Sequence, residues 1–581
     1  MSMILFVTLL CVDIIDTIGL EGMVEKMIVG IDMGGTHIDG AIIDKGKIIK
    51  TIKRATDKDD LFKTIWITLK KLLEDVDKSN ISRINLSTTI STNAIVENKV
   101  SSVGMLINSG PGRNYDFTNA SDKLAFVDGY IDHRGKIVKE LSDNDINKIK
   151  ESYIKDNIES IGIVSKFSTR NPSFEKRIRD IFIKDFDYIT MGHSLSGKLN
   201  FPRRVHTTYL NAAVSKTFKN FAHNIEKSLT AEGLDIPVYV LKADGGTMDL
   251  ATAISKPVET ILSGPAASFM GLSAIYTETD DGILLDVGGT TTDIFFLSKG
   301  VPLFEPLGIN IKNHKTLIRA IYSVSIGLGG DSFVRIEGGK LQIGPERKGK
   351  PVAFGGEFLT VTDAMVALNM LEAKNRDNSI SALETMSKQL KTSVIGLSNE
   401  ILNTATNIIV KKIGELLEKI NAHPVYTIRE LLEDQKIIPK FVNIIGGPAE
   451  VFAPLLEDKL NIKVKFPKRF SVANAIGAAL AKPTMEINMH ADTDRRILSV
   501  PEVEIYENIN TNYNLSMAEE RALDIVIESA IKLGASVNEI EAEIVESSSF
   551  NMVKGYMGRS KNIRVKAQVK PGLIYDLKGE E

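Results

Sequence analysis

One eight-residue pattern occurs twice in this 581-residue chain, and it restricts the possible folds more than any other feature. Asp32-Met-Gly34-Gly35-Thr36-His-Ile-Asp39 and Asp286-Val-Gly288-Gly289-Thr290-Thr-Thr-Asp293 share the form D-x-G-G-T-x-x-D. Each copy follows an apolar strand-like run (IVGI, ILL) and leads into another (IDGAII, DIFFL). Five identical positions in the same strand–turn–strand setting predict two hairpins of one design, hence two halves built alike. A tight Gly-Gly turn would explain either hairpin taken singly. The matched pair is what points to a function.

The chemistry of such a hairpin follows from its residue types. Glycine lets backbone approach an anion with no Cβ in the way. Successive turn N–H groups form a concave anion site, and the threonine hydroxyl adds a donor. The aspartate before the turn repels phosphate, so its natural roles are to hold Mg²⁺ or its waters, or to position a nucleophile. Two hairpins facing each other across a cleft would grip a nucleotide's phosphates from both sides. Asp32 and Asp286 are therefore the candidate metal and catalytic carboxylates. Gly34, Gly35, Thr36, Gly288, Gly289 and Thr290 are the candidate phosphate cradle. For Asp39 and Asp293, bracing the hairpin and acting directly are equally open.

Other glycine turns fit the same picture. Val442–Ile445 runs into Gly446-Gly447-Pro448, a strand-to-helix turn that could border adenosine, although such turns also use glycine for packing. Asp244-Gly245-Gly246-Thr247, Ser263-Gly264-Pro265 and Gly327-Leu-Gly329-Gly330-Asp331 are further loops, some at the cleft and some plain turns.

Along the chain, β-rich runs alternate with amphipathic helices, which predicts an α/β architecture. Leu61, Ile65, Leu69, Leu72 and Leu73 recur at helical spacing, with Trp66 placed in the same core stripe. Ile161–Val164 and Val238–Leu241 read as buried strands, and Ile408, Ile409, Ile413, Leu416 and Leu417 mark a helix. The last hundred residues differ. Ser516 and Glu519 form a capping-box pattern, a helix stops at Gly534, and Ile563, Val565, Ala567 and Val569 alternate with polar residues as in a half-buried strand. The expected division is 1–26 a leader, 27–205 and 206–482 the two main domains, and 483–581 an α+β appendage.

Composition removes several classes of function. Lys+Arg (71) nearly balances Asp+Glu (74), so the concentrated basic face that phosphate neutralisation needs is missing, and nucleic acid is not the expected partner. A single cysteine, Cys11, excludes intrachain disulfides and cysteine-based metal clusters and suits a reducing, cytoplasmic compartment. The apolar run at 3–12 falls short of the ~20 residues of a membrane span and lacks the flanks of a signal peptide. The expectation is that the true start is Met23 or Met27, the alternative being an extra element packed on the body. The pairs His193/His206 and Asp132/His133 could be ligands, but they match no zinc pattern, and no G-x-S-x-G elbow occurs.

These residues resemble the ASKHA superfamily of sugar kinases, actin and heat-shock ATPases, and more specifically the hydantoinase/oxoprolinase family. That family's opening D-x-G-G-T-x-T-D is similar to DMGGTHID here. Its G-T-T-x-x-T-N-A-(L/I)-(L/V)-E is matched by Ser87-Thr88-Thr89-Ile-Ser-Thr92-Asn93-Ala94-Ile95-Val96-Glu97. Thr207-Thr208-Tyr-Leu-Asn211-Ala212, Pro257-Val-Glu-Thr260-Ile-Leu-Ser263-Gly264-Pro265-Ala266, DVGGTTTD and Val472-Ala-Asn474-Ala-Ile-Gly477-Ala-Ala479 follow in the family's order, over about Met27 to Lys482. Ser87, Asp244 and His37 depart from its usual residues, which leaves the substrate open. The resemblance implies two duplicated actin/sugar-kinase-like (ribonuclease H-like) domains around a nucleotide cleft. It implies ATP and Mg²⁺ as cofactors and a second, hydantoinase B-like subunit as partner in an oligomer. It adds Thr89, Asn93, Gly264, Gly329 and Gly330 as possible site residues. The activity implied is ATP-driven opening of a cyclic amide of the hydantoin or 5-oxoproline class. A ketone carboxylase subunit, a small-molecule kinase and a non-catalytic actin- or chaperone-like ATPase are the alternatives.

Overall fold

The computed structural model describes residues 27–577 except 35–36, 57–60, 113–116, 118–119, 122, 277, 306, 423–435, 468–469 and 555–557. Residues 1–26, the expected leader with Cys11, lie outside the described residues, as do Gly35 and Thr36.

Both D-x-G-G-T-x-x-D segments are hairpins, and each begins a sheet of the same plan. In the first, strand Met27–Met33 pairs antiparallel with His37–Asp44, which pairs with Lys47–Ala55. On its other side Met27–Met33 runs parallel to Ile81–Thr88, which runs parallel to Val238–Leu241. In the second, Gly282–Val287 pairs antiparallel with Thr292–Ser298 and parallel with Phe441–Ile445, which is parallel to Lys463–Lys465. The third position, beyond Thr292–Ser298, is taken by Val301–Pro302 and Ser323–Ile326. The central strands read as nearly continuous apolar runs because helices cover both faces. The fold is thus α/β with two duplicated sheets.

Two helices lie between the halves, Ser263–Ile275 and Ala473–Leu480. Their sequences, SGPAASFMGLSAI and ANAIGAAL, carry mostly small residues, and the reason is contact distance. A Cβ on Gly477 would run into the Ala267 carbonyl and the Gly271 backbone, and one on Gly271 would meet the Ala473 carbonyl. Ala267, Ala475, Ala479 and Leu480 are fully buried here with Leu272, Leu284 and Phe295, so one core joins both sheets.

Beside the first sheet, four strands (Ile189–Met191, Ser160–Ser165, Val103–Asn108, Lys123–Phe126) form a parallel sheet with its own core. Helix Phe201–Ala231 runs through the expected boundary at 205/206, and the first sheet takes Val238–Leu241 and Thr247–Asp249 from beyond it. The C-terminal part is a five-stranded antiparallel sheet packed on helix Leu515–Lys532, an α+β unit. It is tied to the body by Arg134, which donates to Asp492 (2.9 Å) and Asp494 (2.6 Å). Among the described residues no helix is long and apolar enough to cross a membrane.

Two local expectations need correction. Trp66 is half-buried rather than core, because its indole N–H donates to Glu232 Oε1 at 2.9 Å and so stays at the polar rim. The C-terminal helix is capped by Asn514, whose side chain accepts from Met517 N–H, rather than by Ser516. Asn is as good a cap as Ser and stands two residues earlier, so the helix starts sooner.

Candidate active site

The register of the two hairpins is identical. Asp32 stands opposite Asp39, and Asp286 opposite Asp293, so each pair projects from one face of its hairpin. The turns close in the same way. Gly34 N–H donates to His37 O (3.0 Å), and Gly288 N–H donates to Thr291 O (2.9 Å). Gly289 and Thr290 are exposed at the second tip.

Electrostatics joins the hairpins into one site. Burial pushes the Asp32 carboxyl up to about 7, with the charges of Asp39 and Asp286 adding to it and the Ser87 hydroxyl and Asn474 amide opposing. Burial likewise raises Asp286, and it raises Asp293 to about 6 with the help of the Asp286 charge. Asp39 is raised by burial against the pull of Lys53, whose ammonium sits 2.8 Å from Asp39 Oδ2. Ser268 Oγ donates to Asp286 Oδ2 (2.6 Å). The Asn474 side chain reaches both Asp32 and Asp286, one amide from each half's point of view.

Carboxylates so arranged fit a hydrated divalent cation. Asp32 Oδ1 and Asp39 Oδ1 are buried with no hydrogen-bond partner, an arrangement that costs energy unless a cation or its waters complete it. Among the described residues no group of three or more His, Cys, Asp or Glu could hold an ion.

The remaining loops gather around the same hairpins. Thr89 Oγ1 donates to Met33 O (3.3 Å), and Asn93 Nδ2 donates to Thr89 Oγ1 (3.1 Å). Ser263 Oγ donates to Thr88 O (2.8 Å), bringing Gly264 against Thr89. Just before it, Leu262 adopts a left-handed conformation (φ 66°) with its N–H donating to Thr92 Oγ1 (3.0 Å). Non-glycine residues avoid that conformation, so the surrounding structure holds it in place. At the second hairpin, Gly330 N–H donates to Gly288 O (3.0 Å) and Asp331 N–H to Gly289 O (2.6 Å), which places Gly329 against the turn. Gly446 has φ +100°, and a Cβ there would strike Val287 O and approach Asp286 Oδ1. Gly447 faces open space, and Pro448 lies near Gly330.

The structure therefore brings the described candidate residues to the two hairpins. It adds Lys53, Ser87, Ser268 and Asn474. Asn474 and Ser87 lie in segments quoted above, but a residue's facing depends on helix placement, which sequence spacing does not give. The histidine candidates go elsewhere. His193 Nδ1 is 2.6 Å from the buried Glu175, His206 pairs with His314, and Asp132 closes a turn by accepting from Arg134 and Lys136 N–H.

A duplicated fold in which two carboxylate-bearing hairpins of identical register share one electrostatic site defines the class. A family model described as "Hydantoinase/oxoprolinase N-terminal region" matches residues 28–185, and one described as "Hydantoinase/oxoprolinase" matches 204–487; the chain belongs to the hydantoinase/oxoprolinase family. It is 25% identical to the caprolactamase alpha subunit of Pseudomonas jessenii over 78% of this chain and 70% of that protein. It is 24% identical to the 5-oxoprolinase of Saccharomyces cerevisiae over 63% of this chain and 30% of that protein. The chain thus spans only part of these curated relatives. A nucleotide-free acetone carboxylase structure shares the fold, with a TM-score of 0.68 and 16% identity over 95% of this chain and 88% of that one.

Proposed function

We propose that the chain is the ATP-using part of a hydrolase that opens a cyclic amide of the hydantoin or 5-oxoproline class. The observation that carries this reading is the pair of hairpins whose buried carboxylates feel one another's charge. An unactivated amide is a poor electrophile. Transfer of the γ-phosphoryl group to its carbonyl oxygen, with ADP leaving, makes the carbonyl carbon attackable by water. The protein's work in such a transfer is positioning and charge stabilisation.

In this reading Asp32 and Asp286 hold Mg²⁺ and its waters, which would neutralise charge developing on the phosphates. The turn N–H groups of Gly35 and Gly289, with the hydroxyls of Thr36 and Thr290, cradle the phosphates, while Gly34 and Gly288 close the turns and let the backbone approach. Gly446, Gly447 and Pro448 border adenosine. Asp39 and Asp293 brace their hairpins, Asp39 through Lys53. Asn474 ties the two halves' carboxylates together. The two lobes are the sheets that carry the two hairpins, the first including strands Val238–Leu241 and Thr247–Asp249, and residues 483–581 act as the appendage. A hydantoinase B-like partner subunit fits a relative named as an alpha subunit, and the single cysteine fits the cytoplasm.

The test is ATP hydrolysis by the purified chain with Mg²⁺, with and without 5-oxoproline, hydantoin and N-methylhydantoin, following phosphate release and ring opening together. Coupled ring opening is the expected result, with or without an added partner subunit. A phosphorylated product that accumulates would instead make the chain a kinase. The fold shared with acetone carboxylase favours a second reading, in which the activated carbonyl is a ketone's; bicarbonate-dependent turnover of ketones would select it.

The raised Asp32 carboxyl sets a pH dependence. The anion is the form that binds a cation, and it is depleted below its pKa of about 7. ATP turnover at limiting Mg²⁺ should therefore rise with pH through about 7, and saturating Mg²⁺ should move the midpoint lower, since cation binding favours the anion. A flat profile from pH 5 to 8 would remove Asp32 from the metal role.

A further inference from the structure

A cavity of about 100 Å³ lies apart from the hairpins, where the first sheet meets the C-terminal appendage. Lys242 and Asp244 reach it from the carboxyl end of strand Val238–Leu241, and Glu486 and Glu502 reach it from the appendage. That strand end is two strands from the one bearing the first hairpin, ~10 Å along the same edge. The segment 256–264 separates the two places. Lys256, Val258 and Glu259 line the cavity, whereas Ser263 holds Thr88 beside the first hairpin.

The cavity wall is charged and incompletely paired. Four lysine or arginine and four aspartate or glutamate side chains line it, and Lys566 adds a cation beside Glu486. Lys242 donates to Thr484 O (3.1 Å) and Lys256 to Glu502 O (3.2 Å), but three contacts between opposite charges are too long for direct hydrogen bonds: Lys198–Glu486 3.6 Å, Arg319–Glu486 3.6 Å and Lys242–Glu259 3.8 Å. Glu502 Oε1 accepts from Gly197 N–H and Asn488 Nδ2 (2.7 Å each), but its Oε2 is buried without a hydrogen-bond partner. Arg319 Nη1 is likewise buried without one, whereas Glu486 Oε2 has the Lys566 ammonium 3.2 Å away. An unmet acceptor, Glu502 Oε2, and an unmet donor, Arg319 Nη1, thus line one cavity, and buried groups left in that state are costly. A ligand carrying a cationic donor and an anionic acceptor would complete both.

We propose that this cavity binds a small zwitterion, a molecule carrying both an ammonium and a carboxylate, with the ammonium at Glu502 and the carboxylate at Arg319. Burial raises the Glu502 carboxyl, and an ammonium beside it would restore the anion. Ring opening of a lactam such as 5-oxoproline yields an amino acid, so on the lactam branch of the proposed function the site is suited to hold the product, and the segment 256–264 would link its occupancy to the first hairpin. The assignment of the site does not rest on the hydrolase reading, because it is tested without nucleotide.

The experiment is calorimetric titration of the full chain, free of nucleotide, with glycine, 4-aminobutyrate and 6-aminohexanoate, and with butyrate and butylamine as single-charge controls. At least one zwitterion should bind, and the matching single-charge control should bind about tenfold more weakly or not at all. Glu502→Gln and Arg319→Gln should each weaken the zwitterion about tenfold with an unchanged melting temperature. If one variant fails to fold, the other gives the same reading. Absence of binding by all three zwitterions, equal binding of butyrate or butylamine, or unchanged affinity in a folded variant would overturn the proposal and leave the cavity to water.

Discussion

Asp32→Asn and Asp286→Asn should each lower ATP turnover at least about a hundredfold while leaving the fold intact, the scale expected when a transition-state charge stabiliser is removed. The substitution keeps the shape and removes the charge. Asp286 Oδ2 still has Ser268 Oγ beside it, and Asn474 still reaches both positions. Phosphate release at saturating Mg²⁺ is the measurement, and normal turnover in either variant would refute the metal assignment.

The same variants should stabilise the metal-free protein. In the unfolded chain Asp32 ionises near its ordinary value, whereas in the folded chain it is raised to about 7. The folded state therefore binds the extra proton between about pH 4 and pH 7. The stability linked to that proton is fully present below pH 4 and is lost as the pH climbs to 7. Asp32→Asn removes this loss, so its melting temperature at pH 8 should exceed that of the parent without Mg²⁺, and the gap should narrow when Mg²⁺ is added. A site that repels itself when empty and is relieved when loaded is the usual trade of stability for function.

Gly477→Val should have the largest effect on stability, roughly 3 kcal/mol or more, through overpacking at the crossing of the two inner helices. Gly477 meets the Ala267 carbonyl and the Gly271 backbone, neither of which can turn aside as a flexible side chain could. Because Ala473–Leu480 also packs against the first sheet at Gly30, a shift there would be felt in both halves and at Asn474. Gly414→Ala is the control. It lies in helix Val394–Ala422 with nothing within 4 Å of its Cβ position, so it should stabilise by up to about 1 kcal/mol. Thermal melts of both proteins decide the matter; an unchanged melting temperature for Gly477→Val would mean that the helices separate at little cost.

What the sequence determined by itself was local and repeated. Strand, Gly-Gly turn and strand are fixed by neighbours a few residues apart, so both hairpins were legible in Asp32–Asp39 and Asp286–Asp293, and the α/β alternation in the apolar runs along the rest of the chain. The C-terminal strand at Ile563–Val569 was legible for the same reason, its period of two. The tertiary structure alone decided which distant segments meet. Helix Ala473–Leu480 sets Asn474 between carboxylates that lie 254 positions apart (286 − 32), and no spacing rule connects them. It also turned Trp66 to the rim, where its N–H finds Glu232, and enclosed Glu502 with Arg319 beneath the appendage. Burial and opposed charge belong to the assembled fold, and they are what lifts Asp32 from an ordinary carboxylate to one poised near neutral pH.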